Sequence, residues 1–316
     1  MTVYEYPKCI LNGEKIPECA LALGFFDGVH IAHRDLLCSA RQKANEIGLP
    51  FGIFTFVSDT GIKSTVPRLY SDSDKLTIFD LLGADIVIMA DFSQIRDLSP
   101  DEFVNQVLIE DCGCRCCVAG FNFRFGKGAS AGADELSKLI GKHGYDIIIK
   151  DEMRHGDDTV STSLIRSYMA SGKIEDANLL LGAPYFIKGK VEHGNSEGHK
   201  LGYPTVNISL GGKDTLLRCG VYRSAVAVLG KIYSSVTNIG ICPTFEERDI
   251  HSETYIFDFN KDIYGADVTV YLLGFLRDEE RFSTPKELTE QINKDKEKAI
   301  KENGEITWQE LGLNLR

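Results

Sequence analysis

The chain has 316 residues, and at about 150 residues per domain it divides most naturally into two domains, each long enough to bury its own core. Its 43% hydrophobic and 26% charged residues exclude a disordered chain, a collagen-like repeat and a disulfide miniprotein. With 46 acidic against 35 basic residues the net charge is −11, a field that repels nucleic acid and anionic membrane, so any phosphate ligand has to be held locally.

The stretch Met1 to Cys9 has neither a basic n-region nor an apolar core, and the longest apolar runs fall well short of a membrane span, which makes the cytoplasm the expected compartment. From there strands and helices alternate. Ala20 to Phe26 is predicted as a strand, Arg34 to Ile47 as a helix, Phe51 to Phe56 as a strand, Asp72 to Leu82 as a helix and Asp85 to Ala90 as a strand. Pro100 to Ile109 follows as a helix with Ser99 as N-cap, then Arg115 to Ala119 as a strand, Asp134 to His143 as a helix and Tyr145 to Lys150 as a strand. The 9 cysteines are an odd, irregularly spaced set, which suits a reducing compartment. Their one cluster, Cys112, Cys114, Cys116 and Cys117, lacks the paired spacing of a zinc site and is expected to supply small buried strand residues.

This alternation predicts an α/β domain, a parallel sheet wrapped by helices whose ligands lie beyond the carboxyl ends of the strands. Two short helices, Ser163 to Ala170 and Ile174 to Leu181, lead to the break Gly182-Ala183-Pro184, where the domain boundary is expected: residues 1–182, then residues 183–316. Beyond it the pattern becomes strands and turns: Tyr185 to Glu192, Thr205 to Ile208, Val221 to Leu229, Lys231 to Asn238, Glu253 to Phe259 and Asp267 to Phe275. Strands at this spacing predict a small antiparallel β-barrel, closed by one helix over Thr284 to Glu302.

The segment Leu23-Gly-Phe-Phe-Asp-Gly-Val-His-Ile-Ala-His33 joins the first strand to the first helix, where backbone N–H groups and the helix dipole hold phosphate. His30 and His33, three apart, both have access to such a phosphate and would stabilise charge as a nucleotide α-phosphate is attacked; taken alone, the pair also fits an ordinary strand-to-helix turn. In context Gly24 to His33 resembles the G-x-F-D-G-x-H-x-G-H signature of the nucleotidyltransferase domain in bacterial bifunctional riboflavin kinase/FAD synthetases. Gly120-Phe-Asn-Phe-Arg-Phe-Gly126 resembles that family's G-F-[DN]-F-R-F-G loop, and Val160-Ser-Thr-Ser-Leu-Ile-Arg166 its S-S-T-x-I-R block. In the second half Gly194-x₃-Gly198-His-Lys-Leu-Gly-Tyr-Pro-Thr-Val-Asn207 resembles the flavokinase motif G-x₃-G-R-x-L-G-F-P-T-A-N, and Asn238-Ile-Gly-Ile-Cys-Pro-Thr-Phe245, Glu253 and Phe275 to Phe282 continue the family order. The resemblance runs from about Lys15 to Ala299.

The resemblance implies a Rossmann-like nucleotidyltransferase domain followed by a flavokinase barrel, and synthesis of FAD in two ATP-dependent steps. The barrel would phosphorylate riboflavin to FMN, with Glu253 as general base and Thr205 and Asn207 offering oxygens to Mg²⁺, while Gly198 approaches the nucleotide. The first domain would join FMN to ATP and release pyrophosphate; Gly24, Phe26, Asp27, Ser161, Thr162 and Arg166 would surround the phosphates with His30 and His33, and Asn122, Arg124 and, from the barrel, Arg277 would serve the flavin side. Its partners would be flavins and ATP, with no nucleic acid and no membrane. The sequence departs from the family at Ala32, in place of a glycine, at Ser58-Asp59, where a histidine is common, at Leu164, often an arginine, and at His199 and Cys242, both commonly arginine. The first three departures remove positive charge or close approach from the adenylyl-transfer cleft. They leave open a riboflavin kinase with a weak first domain, and beside it a flavin-binding regulatory module without turnover.

Overall fold

The computed structural model describes residues 1–58, 67–192, 205–210, 216–243, 248–304, 306, 307 and 311. The chain forms two compact units, Met1–Thr162 and Ser163–Arg316. In the first, the elements run β1 (Thr2–Tyr6), α1 (Lys8–Leu11), β2 (Cys19–Leu23), α2 (Ile31–Ile47), β3 (Phe51–Phe56), α3 (Asp72–Leu81), β4 (Ile86–Ala90), α4 (Phe92–Ile95), α5 (Pro100–Glu102), β5 (Cys114–Gly120), α6 (Ala133–Lys142) and β6 (Asp146–Lys150). A two-stranded ribbon, β7 (Arg154–His155) and β8 (Asp158–Thr159), follows.

The sheet order is β1-β4-β3-β2-β5-β6, with every neighbouring pair parallel. Every residue of β2 is buried, as is usual for a parallel strand covered on both faces, so it reads as the unbroken apolar run Cys-Ala-Leu-Ala-Leu. From β2 the chain builds outward first through β3 and β4 and only later through β5 and β6, so the order switches direction between β2 and β5. A parallel sheet opens a crevice at such a point, beyond the carboxyl ends of the two strands.

Three details differ from the expectation. The N-terminus supplies an edge strand, β1, whose half-exposed alternation carries too weak an apolar signal to read in advance. The predicted helix after Ser99 begins with a capping box, Ser99 Oγ accepting from Glu102 N at 3.2 Å and Glu102 returning a carboxylate oxygen to Ser99 N at 2.7 Å, but then widens over Phe103–Asp111 into i→i+5 turns, as in Cys112 N to Val107 O at 3.0 Å. The clustered cysteines, by contrast, enter and build β5 as buried thiols, as expected. Gly182 does end a helix in the left-handed conformation (φ 71°), as its punctuation implies. The compact units nevertheless divide at the first residue of α7 (Thr162–Ala170), ahead of α8 (Ile174–Leu181), and α8 is tied to the second sheet: Asn178 donates to the Leu272 carbonyl and accepts from Tyr185 N, both at 2.8 Å. A helix stop is a local event, whereas packing sets the unit.

The second unit continues with β9 (Tyr185–Lys190), β10 (Thr205–Ser209), β11 (Gly220–Val228), β12 (Lys231–Pro243), β13 (Arg248–Ile256), β14 (Asp267–Arg277) and α9 (Pro285–Asn303), N-capped by Thr284. Its antiparallel sheet has the order β10-β13-β12-β11-β14-β9, and a bridge from Glu192 N to Asn207 O at 2.9 Å draws its two edges together into the expected barrel. Helix α9 closes one face: Ala299 packs with Val221, Val236 and Phe257, and Asp295 takes the Arg277 guanidinium at 2.8–3.2 Å through both carboxylate oxygens. Both partners are largely buried, 17% and 7% exposed at the side chain. Asp295→Asn would leave the guanidinium desolvated without its counter-charge, at a cost of about 3 kcal/mol; urea unfolding is expected to show that loss in the transition of the second unit and not in that of the first.

Candidate functional site

In the first unit Leu23 of β2 and Ala119 of β5 lie in register, so the loops that follow, starting at Gly24 and Gly120, leave the sheet side by side at the switch point. Gly24 has to lack a side chain, because a Cβ there would lie 2.6 Å from the Phe26 ring. Phe26 (φ 52°) and Val29 (φ 41°) are both left-handed and buried, conformations that L-residues adopt only when their surroundings over-determine them. Here Asp27 Oδ1 accepts from Leu69 N at 3.1 Å, Thr55 Oγ1 donates to the Phe25 carbonyl at 3.0 Å, Arg34 Nε donates to the Val29 carbonyl at 3.1 Å, and the Phe26 ring packs edge-on to Phe79 and His33.

This turn delivers His30 as the N-cap of α2 and His33 on its first turn, the rings stacked at 3.6 Å between centroids. His30 Nδ1 accepts from His33 N at 3.4 Å, so the neutral ring carries its proton on Nε2, where it is a donor. Burial pushes the His30 imidazole down to about 4, and burial together with the neighbouring His30 holds His33 well below its ordinary range. Both rings are therefore neutral hydrogen-bond donors at pH 7. In the loop after β5, Asn122 and Arg124 are exposed; a turn closes at Phe123 N to Gly120 O, 3.0 Å, and the bare Gly132 leaves room for the Arg124 guanidinium. Ser161 and Thr162 end the first unit, whereas Arg166 lies one turn into α7, in the second.

In the second unit Glu253 faces Asn207 across β10 and β13, and Asn238 across β12 and β13. Asn238 in turn opposes Val221, and Val221 opposes Arg277, so a single row on one face of the barrel reads Asn207, Glu253, Asn238, Val221, Arg277. Thr205, two residues before Asn207 and on the same face, donates its hydroxyl to Glu253 Oε1 at 2.8 Å. Thr205, Asn207 and Glu253 are thus brought together, with the Glu253 carboxylate exposed, while the Arg277 guanidinium is committed to Asp295. Sequence reading passed over Asn238 as a site residue; its amide donates to Glu279 Oε1 at 3.3 Å, and only the sheet register reveals that it flanks Glu253. Gly198, His199 and the rest of the glycine-rich motif before Thr205 lie outside the described residues, as does the side chain of Cys242.

A FAD synthetase family model matches residues 13–164 and a riboflavin kinase (flavokinase) model residues 181–302. The bifunctional riboflavin kinase/FMN adenylyltransferase of Bacillus subtilis (strain 168) is 36% identical over 301 residues, covering 91% of this chain and 93% of the relative. The protein of that description from Listeria monocytogenes is 33% identical over 284 residues, covering 88% and 90%. The chain belongs to the bifunctional riboflavin kinase/FMN adenylyltransferase family. A crystal structure named as a macrolide-efflux protein from Streptococcus pneumoniae superposes with a TM-score of 0.81 at 28% identity, covering 92% of this chain and 99% of that one. Among the described residues no helix is long and apolar enough to cross a membrane.

The buried histidine pair makes stability depend on pH with a definite sign. Above about pH 6.5 the rings are neutral folded and unfolded, so they contribute no slope; as pH falls from there toward 4 the unfolded chain binds protons that the folded His30 refuses, and stability is lost. For His30 the loss is on the order of 3 kcal/mol. Unfolding midpoints measured between pH 7 and pH 4.5 are expected to fall more steeply for the wild type than for His30→Ala; parallel curves would assign the slope to other groups.

Proposed function

We propose that the chain makes FAD from riboflavin in two steps, with the second unit as the kinase and the first as the adenylyltransferase. The observation that carries this reading is the exposed Glu253 carboxylate set between Asn207 and Asn238 with Thr205 bonded to it, the arrangement that a phosphoryl acceptor hydroxyl requires. In the first step the riboflavin 5′-hydroxyl attacks the γ-phosphorus of ATP and ADP leaves. Glu253 accepts the hydroxyl proton, and Thr205 orients the carboxylate until substrate arrives.

Thr205 and Asn207 offer hard oxygens next to a carboxylate on one face, a donor set that fits Mg²⁺, an ion that keeps most of its coordination for water and phosphate. When bound with ATP, Mg²⁺ neutralises phosphate charge. Arg277 serves the flavin side by anchoring α9 against the row that holds Glu253, since Asp295 takes its guanidinium.

In the second step an FMN phosphate oxygen attacks the α-phosphorus of ATP and pyrophosphate leaves, so no protein nucleophile is needed. His30 and His33 donate N–H hydrogen bonds to the phosphates in a water-poor pocket, where a neutral donor is worth more than in solvent. Gly24, Phe26 and Asp27 shape the turn that presents them. Ser161 and Thr162 add phosphate donors, and Asn122 and Arg124 line the flavin side. ATP as co-substrate of both steps and the set of reduced thiols support a cytoplasmic location.

The test is incubation of the protein with riboflavin, ATP and Mg²⁺, with riboflavin, FMN and FAD separated by chromatography. FAD is the expected end product; FMN alone would leave only the kinase, and unchanged riboflavin would remove the kinase, with FAD formation from supplied FMN then deciding the adenylyltransferase. Glu253→Gln keeps the hydrogen bonding and removes proton acceptance, so FMN formation is expected to fall by about 10² to 10⁴ while FAD formation from supplied FMN is unchanged. His33→Ala is expected to do the reverse, slowing FAD formation by about 10² to 10³ and sparing FMN formation. Either variant that lowers both rates together would break the assignment of separate sites.

A further inference from the structure

Lys75, in α3, is 1% exposed at its side chain, and a buried ammonium persists only where partners replace its water. Its Nζ lies 2.9 Å from Asp72 Oδ1 and 3.3 Å from the Phe56 carbonyl, and 5.4 Å from the centre of the Phe25 ring. Each partner belongs to a different part of the crevice edge. Phe56 is the last residue of β3, Phe25 lies in the turn that delivers the histidines, and Asp72 opens α3. Asp72 in turn accepts from Ser58 Oγ at 2.6 Å and from Ser58 N at 2.9 Å, so the chain leaving β3 is held to the same ion pair. Phe25 and Phe56 stack at 6.3 Å, and the Arg68 guanidinium lies 4.3 Å over Phe25 while donating to the Ser58 carbonyl at 2.8 Å.

Ser58 stands in the segment where the family commonly carries a histidine. In this chain Ser58 is built into a closed network with a buried lysine at its centre. Lys75 has no exposed surface with which to touch a substrate, so its effect has to pass through Phe25, Phe56 and Ser58.

We propose that Lys75 is a positioning residue for adenylyl transfer, fixing the end of β3 and the aromatic pair Phe25 and Phe56 against the turn that presents His30 and His33. The inference rests on the adenylyltransferase reading of the first unit. The full-length wild type, Lys75→Met, Lys75→Arg and the double variant Lys75→Met/Asp72→Asn are compared in FAD formation from FMN and ATP, in FMN formation from riboflavin, and in calorimetric titration with FMN, in which the kinase unit contributes an equal component throughout. Lys75→Met is expected to raise the KM for FMN in FAD formation about tenfold with kcat within about threefold, to weaken one component of the FMN titration to match, and to leave FMN formation unchanged; Lys75→Arg is expected to restore the KM. If Lys75→Met alone does not fold, the double variant, which leaves no unpaired buried charge, carries the comparison. A folded variant with wild-type KM and FMN affinity overturns the proposal, as does a fall in both activities. A wild type that binds FMN in two components but makes no FAD counts against the adenylyltransferase reading, with the affinity comparison still deciding the role of Lys75; a wild type with a single FMN component and no FAD overturns both.

Discussion

Leu23, the last residue of β2, lies in register with Ala119, the last but one of the parallel β5, and from that pairing the geometry of the first unit follows. Because β3 and β4 were laid to one side of β2 and β5 and β6 to the other, no crossover covers the gap between β2 and β5 at their carboxyl ends. Two loops separated by nearly a hundred positions in sequence therefore start from adjacent points. The left-handed residues Phe26 and Val29 turn the first of them back into α2, and the strain this carries is offset by a ring of contacts from β3, α3 and the Leu69 backbone.

An acidic chain that handles two nucleotide substrates has to manage charge at short range. In the first unit desolvation keeps His30 and His33 neutral, and the stacked pair avoids the repulsion that two imidazolium rings would suffer. The fully buried cation nearby, Lys75, is matched by Asp72 and spends its charge on architecture.

The second unit presents one carboxylate, Glu253, outward from a sheet. Alternation along β13 sends Ser252 and Thr254 inward and Glu253 outward, and a slip of one residue would exchange them. Inside the barrel a continuous chain of hydroxyls, Ser235 to Ser224 to Thr237 to Thr254, with steps of 2.7–2.9 Å, crosses β11, β12 and β13 where a purely apolar core would be indifferent to register. On the outside, Arg277 and Asp295 hold α9 to the edge of the same row.

Much of this was legible in the sequence: local physics writes there the apolar run of β2, the capping signal of Ser99 and the stop at Gly182, and ordered motifs in both halves carry the resemblance that implies two nucleotide-handling domains. What could not be read were relations between distant segments. That Gly182 ends a helix without ending a compact unit depends on Asn178 reaching the backbone of β14. That Asn238 flanks Glu253 depends on strand register, that Arg277 is occupied depends on Asp295, 18 residues later in α9, and that Lys75 is buried depends on where β3 and the histidine turn happen to end. Periodicity and motif order are properties of neighbours along the chain, and so the sequence determined most of the elements and their class and, through the resemblance, the chemistry they imply. The partners of each polar side chain, and with them the state of His30, Arg277 and Lys75, were decided only by the tertiary structure, because burial and hydrogen bonding are set by residues that the chain brings together from far apart.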